Sequence, residues 1–232
     1  ILARSNDLPV RCVYNWYQHF PVCVVSLSSS DITEPADLEG KTIGTPSNYG
    51  ASYIGWLALA REMGFDETDV DLQVIGYTQV ASLIEGRVDA AVCYTMNEPV
   101  QLENMGYEVN VFDLQAYTSL PSNGIVTSER VIEENPELIE HLLTAFQKGL
   151  QDTLDDPDAA FEITRATISE MDDETAILQR QVLDACLTIW QADKLGEYDA
   201  TAWAESVALM QELGVLAEPV DPQTAYTNEF LP

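Results

Sequence analysis

Between Gly86 and Pro99 a helix stop, a buried strand and a helix start follow one another with almost nothing between them, and this compression leaves few folds open. Gly86 suits the left-handed conformation that closes a helix. Val88 to Tyr94 is apolar enough to be a strand covered on both faces. Asn97-Glu98-Pro99 then opens a helix, because proline fits a first helical turn. The same alternation runs on either side. Lys41 to Thr45 reads as a strand, Pro46 to Gly50 as a turn, and Ala51 to Met63 as a helix closed by Gly64. Asp71 to Tyr77 is a strand, Gln79 to Glu85 a helix, Pro99 to Asn104 a helix and Val109 to Phe112 a strand. Strands alternating with helices predict a largely parallel sheet covered on both faces, so residues 31–120 form one α/β lobe, lobe II.

The flanks do not repeat that pattern. Val10 to Gln18 and Pro21 to Leu27 read as two strands with no helix between them. After Leu120-Pro121-Ser122-Asn123-Gly124 comes the strand Ile125 to Ser128, and beyond it the chain is helical. The helices are Pro136 to Leu154, Pro157 to Ser169, Glu174 to Asp193 and Thr201 to Leu213; the first carries Leu138, Leu142, Leu143, Phe146 and Leu150 on one predicted face. Residues 1–30 and 121–232 are therefore expected to pack together as a partial, mostly helical lobe I. Two crossings, near 22–30 and 121–128, would form a hinge beside a cleft.

Charge narrows the partners. The chain has 39 acidic residues against 10 basic ones, a net charge of −29. Nucleic acid and anionic membrane surfaces repel such a chain, and nucleic acid is excluded as a partner. The acidic residues are spread along the sequence, which fits a protein that works in a salt-rich medium. No apolar run reaches transmembrane length. Cys12, Cys23, Cys93 and Cys186 show no metal-ligand spacing and read as free thiols, with Cys12 and Cys23 able to pair only if their strands are neighbours. His19 and His141 are too scattered for a metal site or a catalytic triad, and no phosphate-cradling glycine loop occurs. Neither a metal nor a cofactor is expected, and no catalytic residue stands out.

The candidate binding residues sit where strands end. Open α/β sheets bind ligands beyond the carboxyl ends of their strands. Glu98 and Asn97 follow such a strand, and a carboxylate beside an amide can grip the edge of an aminopyrimidine; equally, Glu98 suits a helix start simply through the helix dipole. Tyr94 is either a stacking ring or strand-end packing. Trp16, Tyr17 and Gln18 end the first strand, where an aromatic pair can sandwich a flat heterocycle, although strand alternation would turn one of them into the core. Ser47, Asn48 and Tyr49 precede a helix and can either contact a ligand or cap the helix. Asn123 is a ligand contact or a turn residue.

Three stretches carry a resemblance: Leu8-Pro9-Val10 through Pro21 to Ser26, Asp37-Leu38-Glu39-Gly40-Lys41-Thr42-Ile43-Gly44, and Gly86-Arg87-Val88-Asp89-Ala90 with Asn97-Glu98-Pro99. Together they resemble the NMT1/THI5-like group of solute-binding proteins of ABC transporters. The likeness spans essentially the whole chain. It implies a type II periplasmic-binding-protein-like α/β fold of two hinged lobes, with the first lobe incomplete here because the family's opening strand–helix–strand unit is absent. It implies a small planar heterocycle as ligand, such as a thiamine pyrimidine precursor; riboflavin and alkanesulfonates are the alternatives in the same fold. It also implies a permease partner and an extracytoplasmic place, periplasmic or at the cell surface, with a lipoprotein anchor as one way of holding it there. Relatives that synthesise the pyrimidine hold a pyridoxal cofactor on a lysine beside a cysteine-rich cluster; this chain has no such cluster and only Lys41, Lys148 and Lys194, so a binding protein rather than an enzyme is expected. A ligand-sensing domain is the remaining alternative. An incomplete lobe would expose sheet edge and favour self-association.

Overall fold

The computed structural model describes every residue except 67, 118, 119 and 217. In chain order its elements are α1 (Leu2–Ser5), β1 (Val10–Asn15), β2 (Val22–Leu27), β3 (Thr42–Thr45), α2 (Gly50–Met63), β4 (Asp71–Val74), α3 (Gln79–Ile84), β5 (Ala90–Tyr94), α4 (Glu98–Asn104), β6 (Val109–Asp113), β7 (Gly124–Ser128), α5 (Glu129–Glu134), α6 (Pro136–Asp155), α7 (Pro157–Thr167), α8 (Asp173–Trp190) and α9 (Ala200–Glu212). They form two compact units: residues 1–20, 119–176 and 186–232, and residues 21–118 with 177–185.

The second unit is built on a five-stranded sheet of order β4-β3-β5-β2-β6. β3 pairs in parallel with β4 and β5, whereas β2 runs antiparallel to β5 and β6. Four of the five strands therefore point one way, as the βα alternation predicts, and β2 is inserted against them. Residues 21–30, read above with lobe I, fall in this unit because β2 pairs with β5 and β6. Val22, Cys23, Val24, Val25 and Ser26 are all buried, the signature of a central strand covered on both faces. One face packs Cys23, Val25, Ala91 and Cys93 against Leu83 of α3 and Leu102 of α4. Cys23 and Cys93 stand opposite each other across the β2–β5 ladder as free thiols, and Cys12 lies in a different sheet, so β1 and β2 are not the neighbours a Cys12–Cys23 bridge would need.

The first unit is centred on the antiparallel pair β1–β7, which carries an irregularity between Cys12 and Tyr14. Val13 and Tyr14 pack against Ile139, Leu143 and Leu150 of α6 and against Phe230. The buried face of α6 is thus Ile139, Leu143, Phe146 and Leu150; Leu138 and Leu142, expected inside, are 60% and 52% exposed. Leu143, Phe146 and Leu150 lie on the buried face as expected, and Ile139 takes the place given to Leu138. On the outer side of β1, the Cys12 amide donates to the Ala225 carbonyl and the Thr227 amide to the Cys12 carbonyl, both at 2.9 Å. Tyr198, Trp203 and Ala225 form a further buried cluster there, with Trp203 stacked on Tyr226 at 5.1 Å.

Ion pairs such as Arg4–Glu129 and Lys41–Asp31, each 2.8 Å, lie at or near the surface and contribute little individually. The acidic excess dominates. Raising salt from about 0.1 M to about 1 M shortens the screening length from about 10 Å to about 3 Å. We expect this to raise the melting temperature by about 5 °C, on the order of 2 kcal/mol. A salt series followed by circular dichroism checks it; a flat or falling series would show that self-repulsion is not a significant load on this fold.

Candidate functional site

In the second unit, the connection from β3 leads outward to β4, and the next connection returns past β3 to β5. The strand order thus reverses between β3 and β5. In open α/β sheets this switch point is where the loops part and a ligand crevice forms, at the carboxyl ends of the strands. The two loops that meet this condition are 46–49 after β3 and 95–97 after β5. They contain Ser47, Asn48, Tyr49 and Asn97, and Tyr94 and Glu98 flank the second loop.

The loop after β3 is folded on itself. Thr45 Oγ1 donates to the Ser47 carbonyl at 3.0 Å and Ser47 Oγ to the Tyr49 carbonyl at 2.6 Å. Neither Ser47 nor Asn48 caps α2: the cap residue is Tyr49, which makes no side-chain cap bond. Gly44 lets β3 approach its neighbours, since a Cβ there would press on Ile75 and Val88. Tyr49 is 73% exposed.

The loop after β5 is a tight turn closed by the Asn97 amide donating to the Tyr94 carbonyl at 2.9 Å. Glu98 is buried at 8% exposure. Its Oε2 accepts from the Tyr94 amide at 2.8 Å and its Oε1 from Asn97 Nδ2 at 3.1 Å; Gln101 Nε2 in turn donates to Asn97 Oδ1 at 2.9 Å. The carboxylate therefore ties the strand end to the first turn of α4. Each oxygen can accept a further bond, because a carboxylate offers about four acceptor positions. Asn97, Glu98 and Gln101 line one wall of a groove of about 570 Å3 whose other wall is Tyr77 to Ala81, Ile84 and Glu85 at and after the start of α3. Removing the clamp has a predictable cost. Glu98→Ala leaves the Tyr94 amide without its acceptor and should lower stability by about 1–3 kcal/mol, whereas Glu98→Gln keeps one acceptor and should cost about 1 kcal/mol. Urea midpoints of the two variants check this; equal midpoints would mean the clamp carries no load.

In the first unit the structure brings Trp16, Tyr17, Gln18 and Asn123 together. β1 ends at Asn15, three residues earlier than the sequence reading, so strand alternation does not separate these side chains. The Trp16 and Tyr17 amides both donate to the Asn123 carbonyl, at 3.1 and 2.9 Å. Gln18 is held by its amide donating to the Ile189 carbonyl at 2.8 Å and by Nε2 donating to the Asn15 carbonyl at 2.6 Å. Trp16 packs edge-on against Tyr17 at 5.1 Å and stacks on Trp190 at 5.6 Å. Trp190 was missed from sequence; its only signal is an aromatic residue closing a long helix. The indole nitrogens of Trp16 and Trp190 are buried and have no hydrogen-bond partner among the described residues. Among the described residues no group of His, Cys, Asp and Glu side chains could hold a metal ion.

A family model described as NMT1/THI5 like matches residues 1–160. The riboflavin-binding protein RibY of Chloroflexus aurantiacus is 41% identical over 237 aligned residues, covering 100% of this chain and 68% of that protein. The formylaminopyrimidine-binding protein of Halalkalibacterium halodurans is 28% identical over 239, covering 98% and 71%. A more distant relative, 22% identical over 245 residues and covering 100% and 72%, is a 4-amino-5-hydroxymethyl-2-methylpyrimidine phosphate synthase of Legionella pneumophila. Among solved structures, the periplasmic aliphatic sulphonate binding protein SsuA from Escherichia coli superposes with a TM-score of 0.74 at 15% identity, over 96% of this chain and 70% of that one.

Proposed function

The chain belongs to the NMT1/THI5-like family and has the periplasmic-binding-protein fold, and we propose that within this family it is a solute-binding protein for a neutral planar heterocycle, with riboflavin as the leading ligand. The observation that carries the choice of ligand is the 41% identity, over the whole chain, to a riboflavin-binding protein. The formylaminopyrimidine-binding relative, at 28%, supports a pyrimidine as the second reading and moves the thiamine precursor behind the flavin. The two ligands share chemistry, since each presents a flat ring with alternating nitrogen and carbonyl or amine groups on one edge. In this reading the second unit contacts the ligand through Tyr94, Asn97 and Glu98, with Ser47, Asn48 and Tyr49 on the neighbouring loop. Delivery to an ABC permease outside the cytoplasm completes the proposal, supported by the periplasmic sulphonate-binding neighbour. No helix among the described residues is long and apolar enough to cross a membrane.

The lysines favour binding over catalysis. A lysine that forms a Schiff base needs a neutral amine, usually made by burial or a neighbouring cation. Lys41 and Lys148 sit instead against Asp31 and Asp152, each at 2.8 Å, and hydrogen bonding to those carboxylates raises both ammonium pKa values. Lys194 pairs with Glu197 at 2.7 Å.

Thermal melts of the full chain with riboflavin, a formylaminopyrimidine and an alkanesulfonate test the reading. A ligand at 100 times its Kd stabilises by about 2.7 kcal/mol, a clear upward shift. We expect riboflavin to shift the melt most. A shift from the sulfonate alone would overturn the proposed ligand class.

A further inference from the structure

We propose that Cys23 and Cys93 are a cross-strand disulfide pair, closed by an oxidant while the chain folds and enclosed in the sheet afterwards. The two stand directly opposite each other in the ladder of β2 and β5. The end of the ladder shows which kind of opposition this is. The Thr95 amide donates to the Pro21 carbonyl at 2.8 Å, one position beyond the Val22–Tyr94 pair. Antiparallel pairs alternate between hydrogen-bonded and unbonded types. Cys23 and Cys93, two positions on from Pro21 and Thr95, are therefore a bonded pair, with Cα atoms about 5.5 Å apart. That separation is inside the range of about 4.4–6.8 Å for disulfides. Opposed Cβ atoms stand about 4.5–5.5 Å apart and a disulfide needs about 3.5–4.5 Å, so closing the bond draws the two strands together by roughly 1 Å. Both side chains lie in one cluster with Val25, Ala91, Leu83 and Leu102, on the same face of the sheet. The other two cysteines lack such a partner: both fall in the first unit, and Cys12 stands opposite Val126 in the β1–β7 ladder.

Burial decides when the bond forms. Both residues are fully buried. Loss of solvent pushes both thiols well above the ordinary thiol pKa; Glu98 is the next cause for Cys23, and Cys23 itself the next for Cys93. The thiolate is the attacking species in disulfide exchange, so the folded, reduced chain offers neither access nor a nucleophile. In the unfolded chain both thiols are open, and oxidised glutathione can serve as the oxidant. One cysteine thiolate attacks a glutathione sulfur and the first glutathione leaves as its thiolate. The second cysteine then attacks the mixed disulfide and releases the other glutathione. The two cysteines are oxidised, one glutathione disulfide is reduced to two thiols, and the two cysteine protons end on them. An extracytoplasmic place, as proposed above, is where such bonds persist, but the pairing rests on the strand register and not on that place. The two residues are seventy positions apart, and closing so long a loop removes much freedom from the unfolded chain. The bond would also pin β2, the strand that runs against its neighbours, to β5, whose end carries Tyr94 and the Glu98 clamp.

The test is to unfold the reduced full chain in urea and refold it at high salt in reduced and oxidised glutathione, then to count thiols and map linked peptides by mass spectrometry. The expected product has lost two thiols and carries one link, between the peptides that contain Cys23 and Cys93. Its melt should lie at least about 5 °C above that of the reduced chain. The folded, reduced chain held in the same glutathione mixture should keep both thiols over the time in which the refolding chain loses them. Holding the folded chain with oxidised glutathione in urea just below its midpoint opens the same thiols, so this second arm decides the matter where refolding yields no soluble protein. Cys23→Ala should show no link at Cys93 and no gain in melting temperature on oxidation. Four free thiols after both treatments, or a link from Cys23 to Cys12 or Cys186 instead, overturns the proposal. Oxidation of the folded chain as fast as the refolding one overturns the claim that burial times the bond. None of these readouts involves the ligand, so they stand or fall apart from the flavin-binding reading.

Discussion

Gly124→Ala is expected to destabilise the first unit by about 3–5 kcal/mol, lowering the melting temperature by about 10 °C. Gly124 is the first residue of β7, paired with Asn15 at the end of β1. A Cβ at this position would overlap the Tyr198 hydroxyl and the Tyr14 carbonyl oxygen. The second of these is main chain in a buried strand and cannot rotate away. Those two atoms are also each other's partners, with Tyr198 Oη donating to the Tyr14 carbonyl at 2.9 Å. The added methyl therefore forces β1 from β7 or leaves a buried hydroxyl and a carbonyl unsatisfied. Because the Trp16 and Tyr17 amides bond to the carbonyl of Asn123, the adjoining residue, the aromatic cluster should loosen as well. Melting and tryptophan fluorescence of the variant check both parts. A melt within about 1 °C of the parent would show that β1 and β7 are not held as closely as described.

Leu102→Ala is expected to cost the second unit about 3 kcal/mol, within the range of about 2–5 kcal/mol for emptying a core leucine site. Leu102 is fully buried and packs with Cys23, Val25, Leu83, Val88, Ala91 and Cys93. It is the one residue of α4 that fixes the helix to this cluster at its middle, one position after Gln101 and four after Glu98. Cavity formation there should reach the site as well as the core. We expect weaker ligand binding in proportion to the lost order of α4, whereas Leu142→Ala, on the exposed face of α6, should change the melt by less than about 0.5 kcal/mol. Chemical denaturation of the two variants side by side decides whether burial, and not leucine as such, sets the cost.

The α/β region was the most legible part of the chain. Gly64 and Gly86 both take positive φ, at 74° and 63°, where helices were expected to close, and Pro99 lies in the first turn of α4. Local chemistry decides those points, so the sequence reveals them. The insertion of β2 was not legible, because its neighbours are set by cross-strand partners such as Cys23 and Cys93, seventy residues apart. The same holds for Trp190, which reaches Trp16 only through the packing of α8 against the end of β1. The chain beyond Ser128 was expected to be helical, but α5 was not set apart from α6, because Glu129 to Glu134 is short and polar and its start is marked by the cap of Ser128 Oγ, which accepts from the Val131 amide. At the site, sequence reasoning placed Glu98 at the end of a buried strand but could not foresee that both carboxylate oxygens would be tied to Tyr94 and Asn97. That depends on how tightly the turn closes, which composition does not encode.

The most direct test of the central claim is an equilibrium titration of riboflavin into the full chain at high salt, followed by calorimetry and by quenching of flavin fluorescence. Saturable 1:1 binding with strong quenching, as expected when the ring system stacks on aromatic side chains, is the predicted result. Neither heat nor quenching with riboflavin, alongside saturable binding of an alkanesulfonate, would contradict it.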